Sequence, residues 1–171
     1  MADSLREHVY SAASRADVRE GVAHVYADLQ REIDARHPIC SVSGKCCRFE
    51  EYGHRLYVST LELAAFVAGL DEAQDEGATG KGEPRQSRSL SPLILQPSSL
   101  SPGCPFQIDN LCSVHAIRPF GCRMFFCDAT ATQWQNERYE QFHAALKRLH
   151  GQLGVPYLYV EWRQALAVLQ R

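Results

Sequence analysis

The spacing of apolar and polar residues predicts a long amphipathic helix near the start of the chain. From Asp3 to about Arg36 the sequence is rich in Ala, Arg, Glu and Leu, and apolar residues recur at steps of three or four positions: Val18, Val22, Val25, Leu29 and Ile33. Ser14 or Asp17 is suited to cap the helix. The His37-Pro38 step is expected to end it, because the residue before a proline disfavours helical backbone. Cys40 then follows just past the helix.

A short strand and a second helix are predicted next. Residues 55–58 have the composition of a strand, and residues 59–63 carry capping residues that open a helix. This helix is expected to run to about Leu70 and to stop near Gly69.

The composition changes between Asp71 and Ser101 to Gly, Ser, Pro, Gln and mixed charge, which predicts a flexible insertion at about residues 71–103. Leu93, Ile94 and Leu95 are an apolar exception that suits a short edge strand or a segment over the cysteines. Cysteines lie on both sides of the insertion. We therefore expect residues 1–171 to form a single domain.

A hairpin is predicted around Asp109-Asn110, which lies between two apolar residues. A two-residue turn pairs Gln107 with Cys112 and would put Cys104 and Cys112 on opposite faces. Either a bulge restores a common face, or the two thiols serve different neighbours.

The rest of the chain predicts one helical turn at residues 113–117, a long helix at about Gln133 to Leu153, and a last helix. Residues 157–160 alternate enough for that last element to begin as a strand. The predicted fold is mainly α, with a small irregular β-hairpin and with helices packed around a cysteine-rich metal-binding centre.

Composition and charge exclude several classes of protein. The formal net charge of -2 gives no basic surface for nucleic acid. The longest apolar run, LAAFVAGL, is shorter than the roughly 20 residues that span a bilayer. Arg6, Glu7 and His8 interrupt the region where a signal peptide has its apolar core. A cytoplasmic protein is expected, with no nucleic-acid or membrane partner.

Seven cysteines lie between residues 40 and 127: Cys40, Cys46, Cys47, Cys104, Cys112, Cys122 and Cys127. A disulfide framework needs an oxidising compartment, and an odd number leaves one thiol unpaired. Four thiolates satisfy a tetrahedral zinc ion or one iron–sulfur cluster. The cysteines therefore predict a bound metal ion or cluster.

Two details favour an iron–sulfur cluster, with [4Fe–4S] first, over a zinc or iron ion. Neighbouring residues such as Cys46 and Cys47 rarely bind one small tetrahedral ion without strain, and the paired CxxC spacing of a zinc ribbon is missing. Four basic residues flank the thiols, where they would offset the negative charge of the centre: Lys45, Arg48, Arg118 and Arg123. Arg118 and Arg123 are expected to contact the cofactor.

Histidines and nucleophilic chemistry are rival interpretations. His115 and, more weakly, His54 are candidate ligands, although solvated or hydrogen-bonded histidines are more common. His143 and His150 lie seven positions apart on one predicted helix, whose surface is their expected place. No nucleophile elbow, CxxC redox pair, phosphate-binding loop or dinucleotide fingerprint occurs.

At these residues the chain resembles the bacterial cysteine-cluster family of putative zinc- or iron-chelating proteins. The family pattern CxxCxxCC corresponds to residues 40–47, with Ser43 in place of the second cysteine. The later segments correspond to CPF at residues 104–106 and to RPxxCRxFxC at residues 118–127. The resemblance implies metal or cluster binding, with one thiol fewer in this chain or with Ser43, a histidine or water in its place.

The flagellin lysine methylases carry a similar cysteine cluster associated with an iron–sulfur centre, and this resemblance implies a methyl-transfer role by analogy. An enzyme that uses an iron–sulfur centre for such group transfer, or for redox chemistry, is therefore an alternative function. A structural zinc module that binds a partner protein is another alternative. Of the seven cysteines, the best ligand set is expected to be Cys46, Cys112, Cys122 and Cys127, followed by Cys40, Cys47 and Cys104.

Overall fold

The computed structural model describes residues 2–77 and 103–170, and these residues form a mainly helical fold, as predicted. Two short antiparallel sheets and three single 3₁₀ turns accompany the helices. In chain order the elements are α1 (Ala2–Ala13), α2 (Ala16–Arg36), a 3₁₀ turn (Lys45–Cys47), β1 (Tyr57–Ser59), α3 (Thr60–Gly77), β2 (Gln107–Ile108), β3 (Leu111–Cys112), a 3₁₀ turn (His115–Ile117), α4 (Phe120–Met124), a 3₁₀ turn (Ala129–Ala131), α5 (Thr132–Leu153), β4 (Tyr159–Glu161) and α6 (Trp162–Leu169).

The N-terminal region contains two helices, of which the sequence predicted the second. α2 buries Val18, Val22, Leu29 and Ile33, which belong to the predicted apolar stripe. It ends at His37, which has a left-handed φ of 53° and donates its N–H to the Ile33 carbonyl. α1 was not predicted as a separate helix; it packs on α3.

The sheet of β1 and β4 joins two distant parts of the chain. Tyr57 pairs with Glu161, and Ser59 pairs with Tyr159. Each strand leads directly into a helix, and because the two strands are antiparallel, α3 and α6 begin at opposite ends of this sheet. The predicted strands at residues 55–58 and 157–160 are each shifted by one or two positions, and their pairing was not predicted.

The predicted stop of α3 near Gly69 is wrong, because the helix continues to Gly77. A Cβ atom at Gly69 would lie 2.6 Å from Ile117 Cγ2, so this glycine lets the helix approach the turn His115–Ile117. The predicted insertion consequently starts too early, since residues 71–77 are helical. Residues 78–102, which include the Leu93 to Leu95 segment, lie outside the described residues.

The hairpin prediction is confirmed in its register, since Gln107 pairs with Cys112 and Ile108 with Leu111. Asp109 and Asn110 have φ values of 49° and 65°, which is the left-handed backbone of a two-residue hairpin turn. Cys104 precedes β2, so strand alternation does not determine which way its side chain points.

The helices enclose two groups of buried side chains. The larger lies among α1, α3 and α6 and includes Phe66, Phe106 and Trp162. The smaller lies between α2, α4 and α5 and includes Phe120 and Leu146. The cysteines lie in two stretches: residues 40–47, between α2 and β1, and residues 104–127, from just before β2 to just after α4. Within the described residues, no helix is long and apolar enough to cross a membrane.

Candidate metal centre

Backbone and side-chain hydrogen bonds hold the two cysteine segments against each other. The Cys104 amide donates to the Cys47 carbonyl over 2.7 Å. The Gln107 side-chain amide donates to the Gly44 carbonyl over 3.0 Å. The loop at residues 40–47 therefore lies alongside the hairpin, although α3 and residues 78–102 separate them in sequence.

All seven cysteines line one cavity of about 400 Å³, which we call the cysteine cavity. None of them is joined in a disulfide. Apolar, polar and charged side chains complete the wall, among them Val42, Ser43, Val114, His115, Arg118, Phe125, Phe126 and Trp162.

Four thiols form a group around Cys47. The sulfurs of Cys46 and Cys47 are 4.0 Å apart, and the Cys47 thiol also interacts with those of Cys104 and Cys112. The 3₁₀ turn at Lys45–Cys47, which Gly44 opens with a φ of 69°, directs both neighbouring thiols into the cavity. Cys104 and Cys112 thus share a neighbour despite the alternation expected for the hairpin.

The thiols in this group have different acidities. A hydrogen bond with Cys47 lowers the pKa of Cys46 to about 6 and that of Cys112 to about 7, and it also lowers the pKa of Cys104. Hydrogen bonds to these three sulfurs raise the pKa of Cys47. Burial raises the pKa of Cys122, which lies nearby. Thiolates are the metal-binding form of cysteine, and because Cys47 has one S–H proton to donate, it favours the thiolate of one of these neighbours at a time.

Cys40 and Cys127 are exposed at the edge of the cavity. The Ile39 amide donates to the Asp128 carboxylate over 3.1 Å. This hydrogen bond joins the residue before Cys40 to the residue after Cys127. Cys127 Sγ lies 3.4 Å from Ser43 Oγ. Ser43 therefore belongs to the outer part of the site.

Two N–H groups in the cavity wall have no oxygen or nitrogen acceptor among the described residues. They are Arg118 Nε and Trp162 Nε1, both inaccessible to solvent. The Trp162 indole lies beside the Cys104 thiol and contributes to the lowered pKa of Cys104. Sequence reasoning missed Trp162, which lies 35 positions beyond Cys127 and packs against the rings of Phe66 and Phe106.

The other predicted basic residues have structural contacts. Arg123 lies 4.4 Å from the centre of the Tyr26 ring and donates to the Arg118 carbonyl, so it braces the segment that carries Arg118. Arg48 donates to the Ser43 carbonyl and pairs with Glu51. Only Arg118 of the four lines the cysteine cavity.

The candidate histidines also differ in whether they line the cysteine cavity. His115 lines the cavity beside Arg118, and burial followed by the charge of Arg118 lowers its pKa, so it is neutral near pH 7. His54 contacts the Cys46 carbonyl and stacks on Phe125. His143 contacts the Tyr157 hydroxyl, and His150 the Val155 carbonyl, both outside the cavity wall.

The cavity suits a group held by thiolates. In residues 2–77 and 103–170, no three Cys, His, Asp or Glu side chains are already grouped tightly enough to hold one metal ion. Of the described residues in the cavity wall, none is a carboxylate, and Arg118 is the one permanent charge. Thiols, a guanidinium and an indole N–H fit an anionic, sulfur-rich cofactor.

Protein-family models, curated proteins and solved structures give no match to this chain. The functional conclusion therefore depends on the residues of the cavity.

Proposed function

We propose that the chain is a metal-binding protein whose cysteine cavity holds an iron–sulfur cluster, with [4Fe–4S] favoured, or a zinc or iron ion. The observation that supports the proposal is the convergence of seven free thiols on one cavity. The nearest candidate ligands are Cys47, the three thiols that interact with it, and Cys122: Cys46, Cys47, Cys104, Cys112 and Cys122.

The two N–H groups without an oxygen or nitrogen acceptor in the described ranges support the same proposal. A buried donor without an acceptor costs about 1–3 kcal/mol. A centre with four thiolate ligands carries about two negative charges, and its sulfurs accept hydrogen bonds. Arg118 and Trp162 would offset that charge, so a bound centre would relieve both donors.

The shape of the site favours a cluster over a single ion. A zinc ion lies at about 2.3 Å from each sulfur, which requires four thiols to close tightly around one point. The thiols instead surround about 400 Å³, and Cys46 and Cys47 are adjacent in sequence. A cluster allows neighbouring residues to bind different irons, and when bound it supplies one-electron redox chemistry.

Anaerobic purification followed by an absorption spectrum and by iron, zinc and sulfide analysis tests the proposal. Broad visible absorption with iron and sulfide in equal amounts is expected for a [4Fe–4S] cluster. Colourless protein with one zinc per chain would support a bound zinc ion and, with it, a structural zinc module. Protein that holds neither metal, even after anaerobic reconstitution with iron and sulfide, would overturn the proposal.

A further inference from the structure

A second cavity lies on the other side of the cysteine centre. It is an open groove of about 500 Å³, lined by residues of the loop before β1, of β1 and β4, and of the segment from α4 to α5. Cys46, Cys122, Phe125 and Phe126 line both the groove and the cysteine cavity. A molecule in the groove would therefore be separated from the centre by a wall one side chain thick.

Exposed tyrosines form one side of this second cavity, which we call the tyrosine groove. The rings of Tyr57 and Tyr159 stack with 5.6 Å between their centres, and 41% and 38% of these residues remain exposed. The hydroxyl of Tyr139 lies 3.0 Å from that of Tyr159, which fixes the second ring. Tyr159 also stacks on Tyr157, with 5.9 Å between centres, so it is Tyr57 that offers a flat surface for another ring.

The polar residues of the tyrosine groove favour an anion. Arg55 lines it, is exposed, and makes no hydrogen bond or ion pair with another described residue. His54 lines it as well, and none of the described lining residues is a carboxylate. Asn136 adds an amide that likewise has no partner in the described ranges. A guanidinium without a carboxylate partner is well suited to a phosphate or carboxylate.

We propose that the tyrosine groove binds a planar aromatic molecule that carries a phosphate or a carboxylate. The Tyr57 ring stacks on its flat part, and Arg55 pairs with its anionic group. The volume of the groove lies in the usual range for small-molecule sites, about 300–1,000 Å³. Binding depends only on the side chains of the groove, whereas a role for the ligand beside a metal centre rests on the proposed function.

Flavin mononucleotide and riboflavin are suitable probes, because they share one planar ring system and differ by the phosphate. Equilibrium dialysis of the full-length, anaerobically purified protein against each flavin measures both affinities. We expect one flavin mononucleotide per chain, bound at least about tenfold more tightly than riboflavin, which corresponds to about 1.4 kcal/mol. Separating phosphate- from carboxylate-bearing ligands requires a third probe, the flavin carboxylic acid with a shortened side chain.

Variants of Arg55 locate the phosphate contact. Arg55→Gln should reduce the affinity for flavin mononucleotide to that for riboflavin and leave riboflavin binding unchanged, whereas Arg55→Lys should retain part of the difference. Arg148→Gln is the matched control, because Arg148 is exposed on α5 and does not line the groove. Tyr57→Leu should weaken both flavins equally through lost stacking.

The proposal is overturned if neither flavin binds, if both bind equally, or if Arg148→Gln has the effect expected of Arg55→Gln. The metal content of every preparation is measured in parallel. Flavin binding by a protein that takes up no metal would contradict the metal centre alone, and metal uptake without flavin binding would contradict the groove alone.

Discussion

The backbone amide of Cys104 lies 2.7 Å from the carbonyl oxygen of Cys47, to which it donates a hydrogen bond. The preceding residue is a glycine, and a Cβ atom at Gly103 would lie 2.6 Å from the same oxygen. The two cysteine segments can approach this closely only because residue 103 has no side chain. The geometry of the site therefore depends on one glycine that carries no functional group.

Replacement of Gly103 by alanine should destabilise the protein by about 1–3 kcal/mol, since the added methyl group meets backbone rather than a flexible side chain. Urea unfolding measures the loss. Metal content should fall with it, because Cys47 and Cys104 would move apart.

Gly151→Ala is the matched control for this prediction. Gly151 lies in α5, and a Cβ atom there would meet no other side chain or neighbouring segment of the described residues within 4 Å. Alanine at this position should be neutral or stabilise the protein by up to about 1 kcal/mol. A Gly103→Ala protein as stable as the wild type would show that the two segments are not held by this close approach.

The cysteines should differ in their importance for metal binding. Cys47→Ser removes the thiol that contacts three others, so it should lose at least half of the bound metal and about 2 kcal/mol or more of stability, because metal binding is coupled to folding. Cys40→Ser, at the exposed edge, should retain most of both. Metal analysis and urea unfolding under anaerobic conditions measure the two effects. Equal losses of metal and stability in the two variants would indicate that the exposed thiols are ligands as well.

Local sequence signals predicted much of the fold. The turn residues Asp109 and Asn110 determine the hairpin register, and the apolar stripe of α2 follows from its spacing. Gly69 predicts a helix stop when only its neighbours in sequence are considered, whereas its real role depends on Ile117, which is distant in sequence. Local patterns report backbone preference, and they do not report which side chain will fill the space beside a glycine.

The residue types of the candidate site could be predicted from the sequence, whereas their arrangement in space could not. The clustering of cysteines and the flanking Arg118 were visible in the sequence. The thiols grouped around Cys47 differ from the exposed Cys40 and Cys127, and this difference depends on hydrogen bonds between segments that are distant in sequence. The contribution of Trp162 depends on the pairing of β1 with β4, which places Trp162 beside Leu56, whose carbonyl accepts a hydrogen bond from the Trp162 amide. Long-range strand pairing has no signal in either strand alone.

Glu62 gives the protein a pH-dependent stability that does not involve the thiols. Its carboxyl is fully buried and accepts hydrogen bonds from the amides of Ser59, at 2.8 Å, and Phe120, at 3.2 Å, so it links the starts of α3 and α4. Burial raises its pKa from 4.5 to about 7. The folded state therefore holds this proton more tightly than the unfolded state does.

This contribution is complete below about pH 4.5, where the carboxyl is neutral in both states, and it is lost as the pH rises through about 7. The pKa difference corresponds to about 3 kcal/mol. Glu62→Gln does not titrate, so the wild type should lose about that much stability relative to this variant between pH 4.5 and pH 8. Urea unfolding of both proteins across this pH range measures the difference. Both proteins carry the same thiols, so the contribution of the thiols to the pH dependence cancels in the comparison. Parallel pH profiles would mean that the carboxyl titrates normally.

Trp162 should tune a bound iron–sulfur cluster without being required to hold it. Its indole N–H is buried beside Cys104 and has no oxygen or nitrogen acceptor in the described part of the chain, while its ring packs on Phe66 with 4.9 Å between centres. Phenylalanine would keep much of the ring packing and remove the donor. Hydrogen bonds to cluster sulfurs favour the more negative reduced state, so Trp162→Phe should retain iron and have a more negative reduction potential.

Trp134→Phe is the control for this change, since Trp134 packs near Phe126 and does not line the cysteine cavity. Redox titration followed by visible absorption measures the potential of all three proteins, and iron analysis confirms that loading is equal. A shift in Trp162→Phe alone assigns the effect to the indole N–H, because both variants lose the same atoms from their rings. Equal potentials in the three proteins would mean that the indole makes no hydrogen bond to the centre. The buried N–H would then lower the stability of the fold, and the packing of the ring would offset that loss.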